Sequence, residues 1–362
     1  MPVTSADSVQ VSIVEEVTPG VTPATPVFEM IRTTGEGVTF TPNTSDDTEL
    51  TGSNGRCQRP AIVTGQTVAG DISFDLHKAP WMDMVIKGVL AAEWGECPLT
   101  GLAGGAVEDA DDITVGNLMP TFTIEKKIPD PITPGDFQYQ WYRGCSFSSL
   151  NLDITPNEVV TGTVSVVGGV PELGSTAIAG STYISAGNGA KFTAPKVTEL
   201  TVGSEFAVGT HCFTSASLTL DSQNRGIPCI GSEGDREVVA GRMSASMSGE
   251  VYFNDQDILQ AMLDDTTVGD TTVILTNSDG DTYRFDLFSV KVVSGQLVAS
   301  GTGTDLTIPF EVQPQGVKVC DDGSGNDWYS CLMVSKAADA PALPAQVFTD
   351  DYTDAALLAP TV

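Results

Sequence analysis

The residues that most often carry enzyme chemistry are sparse in this chain. Only two histidines occur, His77 and His211, and their sequence surroundings differ. The sequence contains no G-x-S-x-G elbow, no H-E-x-x-H pair, no Walker loop and no G-x-G-x-x-G turn between a strand and a helix. Among 47 aspartates and glutamates, no pair is singled out as an acid and a base. We therefore predict no catalytic residues and no cofactor.

Metal and disulfide chemistry are weakly indicated. The stretch DDGSGND at 321–327 carries oxygen ligands but lacks the terminal Glu of a calcium-binding loop, so it is typical of a hairpin turn. The seven cysteines are scattered and form no C-x-x-C pair, which argues against a zinc site or a disulfide framework. Cys320 and Cys331 flank the predicted turn, where they either form a disulfide across the strands or remain two free thiols.

Composition and charge limit the fold class and the partners. The chain has 362 residues, enough for two or three domains, and its 37 glycines and 21 prolines favour short strands joined by turns. We predict a mainly β protein. The formal charge of −30 argues against tight DNA binding, because such binding depends on Lys and Arg neutralising phosphates.

Targeting signals are not apparent in the sequence. The start MPVTSADSVQ has neither a basic nor an apolar region of a secretory signal. The most apolar stretch, WMDMVIKGVLAAEW, is interrupted by Asp83 and Lys87, so no membrane span is predicted. We expect a soluble protein that is assembled in the cytoplasm.

A short motif occurs twice along the chain. VAGDISFDL at 68–76 and VAGRMSASM at 239–247 share their pattern, and each alternates as a strand does. The alternation predicts one apolar face towards a core, formed by Ile72, Phe74, Leu76, Met243, Ala245 and Met247. It predicts a second, outward face formed by Asp71, Ser73, Asp75, Arg242, Ser244 and Ser246.

The surroundings of the two motifs also agree. A strand and a long polar loop precede each motif, and a short amphipathic helix is predicted after each, from Pro80 in the first half and after Asn254 and Asp255 in the second. Several alternating strands follow in both halves. This order predicts two copies of one fold, at 28–168 and 208–314; the alternative is two unrelated β domains with a coincidental match.

The remaining segments are predicted to be arms and a connector. Residues 1–27 are proline-rich and predict an extended arm with little core of its own. Residues 169–207 form a Gly/Ser/Ala-rich connector, and 315–362 a hairpin followed by a Pro/Ala-rich tail. We expect the arm at 2–27 and the loops at 42–66 and 126–140 to become ordered against neighbouring molecules.

Four stretches together resemble the major tail tube proteins of bacteriophages with long, non-contractile tails. They are VTPGVTPATPVFEMIRTTGEGVTF, SDDTELTGSNGRCQRPAIVTGQTVAGDISFDL, FTIEKKIPD and YRGCSFSSLNLDITPNEVVTGTVSVVGG. The resemblance covers most of 16–168 and, more loosely, the second half to about residue 314. The segment after Gln315 has no counterpart in it.

The resemblance implies two tandem tube-type β-sandwich or barrel domains whose strands join those of neighbouring subunits into a ring. Such rings contain six tube domains and stack into a hollow tube through which the genome passes. Because the sequence predicts two domains per chain, three chains would complete a pseudo-hexameric ring. The implied partners are copies of the chain itself and the tail tip, tape measure and tail terminator proteins, and the implied location is the virion.

The resemblance also suggests which residues face the channel. If the motif strands belong to the inner barrel, their outward residues line it together with Asn151 and Asp153. The alternative is that these carboxylates face bulk solvent outside the tube. The segment 316–362 is expected outside the tube, against an adjacent subunit. Two other functions stay open, a tail terminator or capsid-decorating protein and a tandem β-domain adhesin.

Overall fold

The structure is a computed structural model that confirms a mainly β fold. It describes residues 3–46, 61–95, 112–133, 135–203, 206–207, 211–253, 256, 260, 263–264, 267–295, 297, 305–321 and 327–338. Two short 3-10 turns occupy Ala6–Ser8 and Ala194–Lys196, and one α-helix in the described part, α1, spans Pro80–Leu90.

The first half of the chain supplies eleven strands. They are β1 (Gln10–Glu15), β2 (Val27–Ile31), β3 (Gly35–Glu36), β4 (Thr39–Ser45), β5 (Ile62–Asp75), β6 (Asp112–Thr114), β7 (Phe122–Pro129), β8 (Phe137–Ile154), β9 (Thr161–Val167), β10 (Val170–Gly174) and β11 (Thr182–Ile184).

The second half supplies the remaining strands. They are β12 (Val197–Val202), β13 (Phe206–Ala207), β14 (Phe213–Asp221), β15 (Arg225–Pro228), β16 (Asp235–Val239), β17 (Ser244–Tyr252), β18 (Thr267–Thr276), β19 (Asp281–Gly295), β20 (Thr307–Gln313), β21 (Val317–Asp321), β22 (Asp327–Ser330) and β23 (Leu332–Ala338).

The two halves follow the same strand order. In the first half the neighbours run β1, β7, β8, β9, β5 and then β3 with β4. In the second they run β12, β18, β19, β20, β17 and β14. A bulge falls at the same place in both, before Ser149 in β8 and before Ser294 in β19.

The matching bulges define which residues correspond. Ser149 lies opposite Ser165, which lies opposite Asp71. Ser294 lies opposite Glu311, which lies opposite Ser248. Asp71 therefore corresponds to Ser248, whereas the repeated motif would align it with Arg242. The second motif begins at the end of β16, ahead of β17. The two halves are therefore related by the order of their strands and not by the repeated sequence motif.

A single sheet crosses from one half to the other. The C-terminal part of β8 pairs with β14 from Ser149 opposite Asp221 to Ile154 opposite Ala216. Asn224 reinforces this joint, since its side-chain amide donates 2.8 Å to the Phe147 carbonyl. The order through the joint is β4, β5, β9, β8, β14, β17, β20 and β19.

The predicted helix after the first motif is confirmed as α1. Pro80 occupies its first turn, where a missing backbone N–H costs nothing, and Ala91 ends it in the left-handed conformation. Val85, Ile86 and Val89 are fully buried against the sheet. The second predicted helix falls on residues 254–263, most of which lie outside the described residues.

The N-terminal arm departs from the prediction of little core. β1 lies between β2 and β7, and Ile13 is fully buried. The Glu16 carboxylate then fixes the chain that follows, because it accepts hydrogen bonds from the Gly20 and Gly144 amides at 2.7 and 2.9 Å. Residues 10–16 are therefore part of the first half's core.

The predicted connector and loops also contain strands. Within 169–207, β10 and β11 pair with β8 and β2 of the first half, while β12 pairs with β18 of the second. The loop expected at 126–140 shrinks to the residues between Pro129 and Phe137. In the loop expected at 42–66, residues 42–45 pair with residues of 62–66 in β4 and β5, and residues 47–60 lie outside the described residues. Backbone pairing thus occurs in the described parts of these segments despite their polar composition.

The C-terminal segment contributes a bridging strand. The predicted hairpin is present as β21 and β22. β23 then pairs with β19 on one side and with β6 of the first half on the other, and Leu332 and Val334 are buried. The part expected to lie against another subunit thus includes a strand of this chain's own core, while residues 339–362 lie outside the described residues.

Candidate functional site: the polar face of the shared sheet

The C-terminal part of β5 alternates as the sequence predicts. Ile72 and Phe74 are almost completely buried, whereas Asp71 is exposed and Ser73 is half-buried. Side chains of a strand point to opposite faces in turn, so β5 gives the shared sheet one apolar and one polar face. The same pattern holds in β17, where Ala245 and Met247 are buried.

The polar residues form rows across the strands of both halves. One row runs through residues directly opposite one another in neighbouring strands, Asp71, Ser165, Ser149, Asp221 and Ser244. A second row contains Ser73, Thr163, Asn151, Thr219 and Ser246. A third contains Asp75, Thr161, Asp153, Ser217, Ser248, Glu311 and Ser294. We call this surface the polar face.

Side-chain hydrogen bonds link the rows over the joint between the halves. Asn151 accepts hydrogen bonds from Ser217 at 3.1 Å and Thr219 at 2.9 Å, and its amide donates 2.8 Å to Asp153. Ser165 donates 2.7 Å to Asp71. These contacts tie short polar side chains of neighbouring strands to one another across the joint.

The charges on the polar face are mostly negative. The rows contain five carboxylates, Asp71, Asp75, Asp153, Asp221 and Glu311. Lys191 contacts Asp75 at 2.5 Å and neutralises one of them. With carboxylates in the majority, this surface repels rather than attracts a polyanion.

The structure brings together all but one of the predicted outward residues. Arg242 is exposed but precedes β17, so it lies outside the rows. The sequence reasoning missed Ser149, Thr163, Thr219 and Asp221, which lie in the same rows. The alternation in β8, β9 and β14 was a signal that could have found them.

Potential metal ligands and cysteines are dispersed in the described part of the fold. There, no group of three or more His, Cys, Asp or Glu side chains could hold a metal ion. Cys331 is a free thiol, and the register places Cys320 opposite Trp328. Of the two alternatives for Cys320 and Cys331, this register favours two free thiols, because Cys331 follows the end of β22.

His77 is the one histidine held in the core among the described residues. It is buried and accepts a hydrogen bond of 3.4 Å from the Trp81 indole. Burial lowers the pKa of this imidazole, which favours the neutral form. A neutral, buried histidine packed on an aromatic ring is a core residue.

The fold and the polar face define a class, a mainly β protein built around one extended sheet with an uninterrupted polar side. The family model of the phage tail tube protein matches residues 6–314, and the chain belongs to this family. It is a structural component of the phage virion tail, where such proteins assemble into a tube. No curated protein matches the chain. In the part of the chain that the structure describes, no helix is long and apolar enough to cross a membrane.

Proposed function

We propose that three copies of this chain form a ring, that the rings stack into the tail tube, and that the polar face lines the channel through which the genome leaves. The observation that carries the proposal is the shared sheet, which joins both halves and keeps all polar rows on one side. A closed barrel made from such sheets turns one face to the channel and the other to a core.

The stoichiometry follows from the repeated strand order. The two halves have the same neighbours and the same bulge, which supports an internal duplication of one tube domain. Six tube domains per ring would then need three chains. Six chains would place twelve domains in a ring and widen the channel well beyond a DNA duplex.

The acidity of the polar face suits a conduit. A wall rich in Lys and Arg would hold DNA through many phosphate contacts, whereas carboxylates and hydroxyls leave it surrounded by water and counterions. No other activity is needed for this role, and we assign neither an enzyme activity nor a cofactor to the chain. The tail tip, tape measure and tail terminator proteins are the proposed partners at the ends and inside the tube, and assembly would take place in the host cytoplasm.

Contacts between rings are assigned to the distal part of the β4–β5 hairpin, residues 42–45 with Ile62 and Val63, and to the first residues of the chain. Every side chain of β4 is exposed, and Ile62 and Val63 are 67% and 63% exposed on the opposite strand. A hairpin with so little contact to its own subunit is suited to pack on a neighbour. The tail at 339–362 is placed on the outside of the tube.

Electron microscopy of the purified protein tests the tube. We expect long tubes with ring striations and, after reconstruction, threefold symmetry in each ring. Compact monomers under all assembly conditions would contradict the tube, and six chains per ring would contradict the trimer alone.

Access of a bulky thiol reagent tests the assignment of the polar face. Asp153→Cys should react with a large maleimide polymer in free subunits and be protected in tubes. Thr176→Cys, on the exposed turn after β10, is the control and should react in both states. Equal labelling of Asp153→Cys in both states would place the polar face outside.

A further inference from the structure

The edge of β8 that pairs with β14 has an equivalent in β19 of the second half, and this equivalent edge is unpaired among the described residues. In β8, pairing with β7 ends at Cys145 opposite Phe122, and β14 takes over the same edge from Ser149. In β19, pairing with β18 ends at Lys291 opposite Thr267. Beyond it, within the described residues, no strand of this chain pairs with that edge at 292–295.

The complementary edge lies at the other end of the sheet. β14 corresponds to β3 and β4, because β14 pairs with β17 as β3 and β4 pair with β5. The edge of β14 that faces away from β17 pairs with β8. In the described structure, β3 and β4 pair only with β5, so the equivalent edge of these two strands has no partner strand there. Among the described residues, the chain therefore has one unpaired copy of each edge of its internal joint.

We infer that β19 of one subunit pairs antiparallel with β4 of a second copy of this chain, in the register of the internal β8–β14 joint. This inference rests on the proposed ring and specifies its contact. Because the bulges match, Ser294 is the structural equivalent of Ser149. Because the strands match, Thr41 is the structural equivalent of Asp221. Ser294 thus lies opposite Thr41 of the next subunit, Gly295 opposite Phe40 and Leu297 opposite Val38.

The side chains of the two edges fit this register. Phe40 is 36% exposed and would lie opposite Gly295, which has no side chain and is already buried in its own subunit. Leu297, also 36% exposed, would lie on the same apolar side as Val38, which is fully buried in its own subunit. Ser294 and Thr41 would extend the polar face. A shift of one residue would turn Phe40 to the polar side, so the pattern selects this register.

Pro42 in β4 and Val38 just before it limit where the pairing begins and ends. Pro42 has no backbone N–H, which explains a pairing that stops at Thr41. The Val38 carbonyl accepts a hydrogen bond from the Lys126 ammonium, which also contacts Glu36 at 2.5 Å. A carbonyl oxygen has two lone pairs, so Val38 can accept the Leu297 amide as well. Lysine beside an edge strand is a known protection against premature pairing.

Paired cysteines test the register in assembled protein. Thr41→Cys combined with Ser294→Cys should give disulfide-linked dimers and closed covalent trimers on non-reducing gels, because directly opposite residues lie within disulfide reach. Ser149→Cys with Asp221→Cys reproduces the internal joint and should form a bond within one chain. Phe40→Cys with Ser294→Cys points to opposite faces and should not cross-link, and each single variant measures background from the native cysteines.

The outcomes separate the inference from the proposed function. Tubes that form without the Thr41–Ser294 bond, or that link the Phe40–Ser294 pair equally well, would overturn the register and leave the tube standing. Failure of the unmodified protein to form rings would overturn both. Hydrogen exchange on the unmodified chain gives a second measure: amides at 38–41 and 294–297 should slow on assembly, and unchanged exchange there would refute the contact.

Discussion

The Tyr283 hydroxyl donates a hydrogen bond of 2.8 Å to Oδ1 of Asp83, joining strand β19 of the second half to helix α1 of the first. The other carboxylate oxygen accepts 2.8 Å from Lys336 of β23, and Lys78 approaches at 3.5 Å. Burial, followed by the Asp83 charge, raises the pKa of the Tyr283 phenol well above its usual value. The Asp83 carboxylate thus connects helix α1 to strands β19 and β23.

Removal of this carboxylate should loosen the contact between the halves. Asp83→Ala removes the acceptor of the Tyr283 hydroxyl and of the Lys336 ammonium, and we expect a loss of about 2–3 kcal/mol in the free energy of unfolding. Tyr283→Phe removes one hydrogen bond and should cost about 1 kcal/mol. Chemical denaturation measures both; equal stability of Asp83→Ala and the parent would contradict the role.

Glu16 should be needed for the stability of the N-terminal chain. Its carboxylate accepts from two backbone amides and also from Thr121 at 2.8 Å and Thr123 at 2.7 Å. Glu16→Gln replaces one acceptor oxygen with a donor and leaves one backbone N–H unpaired, which should cost about 1–3 kcal/mol. Glu158→Gln at an exposed site is the control. Similar melting temperatures for the two variants would show that the Glu16 network is dispensable.

Gly88 should resist substitution although it lies within a helix. An alanine there would gain about 1 kcal/mol in helix propensity. Its Cβ, however, would lie 2.7 Å from Phe147 and 3.0 Å from Phe122, two rings buried in the core. We expect Gly88→Ala to destabilise the protein by about 1–3 kcal/mol through overpacking. Gly35→Ala, with open space around its Cβ, is the control, and a stabilised Gly88→Ala protein would disprove the close packing.

Glu125 should make the stability depend on pH. It is fully buried, and burial raises the pKa of its carboxyl although the Trp141 indole donates 2.7 Å to it. The folded state then holds a proton that the unfolded state has lost, so the contribution of Glu125 to stability falls as pH rises from the ordinary carboxyl pKa through the raised one. Glu125→Gln should therefore compare more favourably with the parent at pH 8 than at pH 5. Denaturation at both values measures the difference, and a constant difference would contradict the prediction.

Local patterns were sufficient for some elements and not for others. The period-two alternation in β5 identified Ile72 and Phe74 as core residues because burial on one face of a sheet imposes it. The helical spacing after Pro80 identified α1 for the same reason. Both signals lie within a few residues of sequence, where chain geometry alone sets the periodicity.

The missed elements depend on partners that are distant in sequence. β1 was assigned to an arm because prolines follow it, yet its neighbour β7 lies more than a hundred residues away. β10 and β12 occur in a segment whose composition indicates a linker, and pairing to β8 and β18 overrides that tendency. The rows of the polar face could be guessed strand by strand, but their alignment requires the register between strands.

The position of β23 determines when one connection between the halves forms during translation. It is the last strand that the structure describes, and it lies between β19 and β6. On the ribosome, N-terminal parts of a chain fold first. Strand β6 (Asp112–Thr114) therefore cannot pair with β23 until translation has passed residue 332. A chain that terminates before residue 332 keeps the β8–β14 joint but lacks the second connection that β23 makes between the halves. The β19–β23–β6 connection therefore forms later in synthesis than the β8–β14 joint.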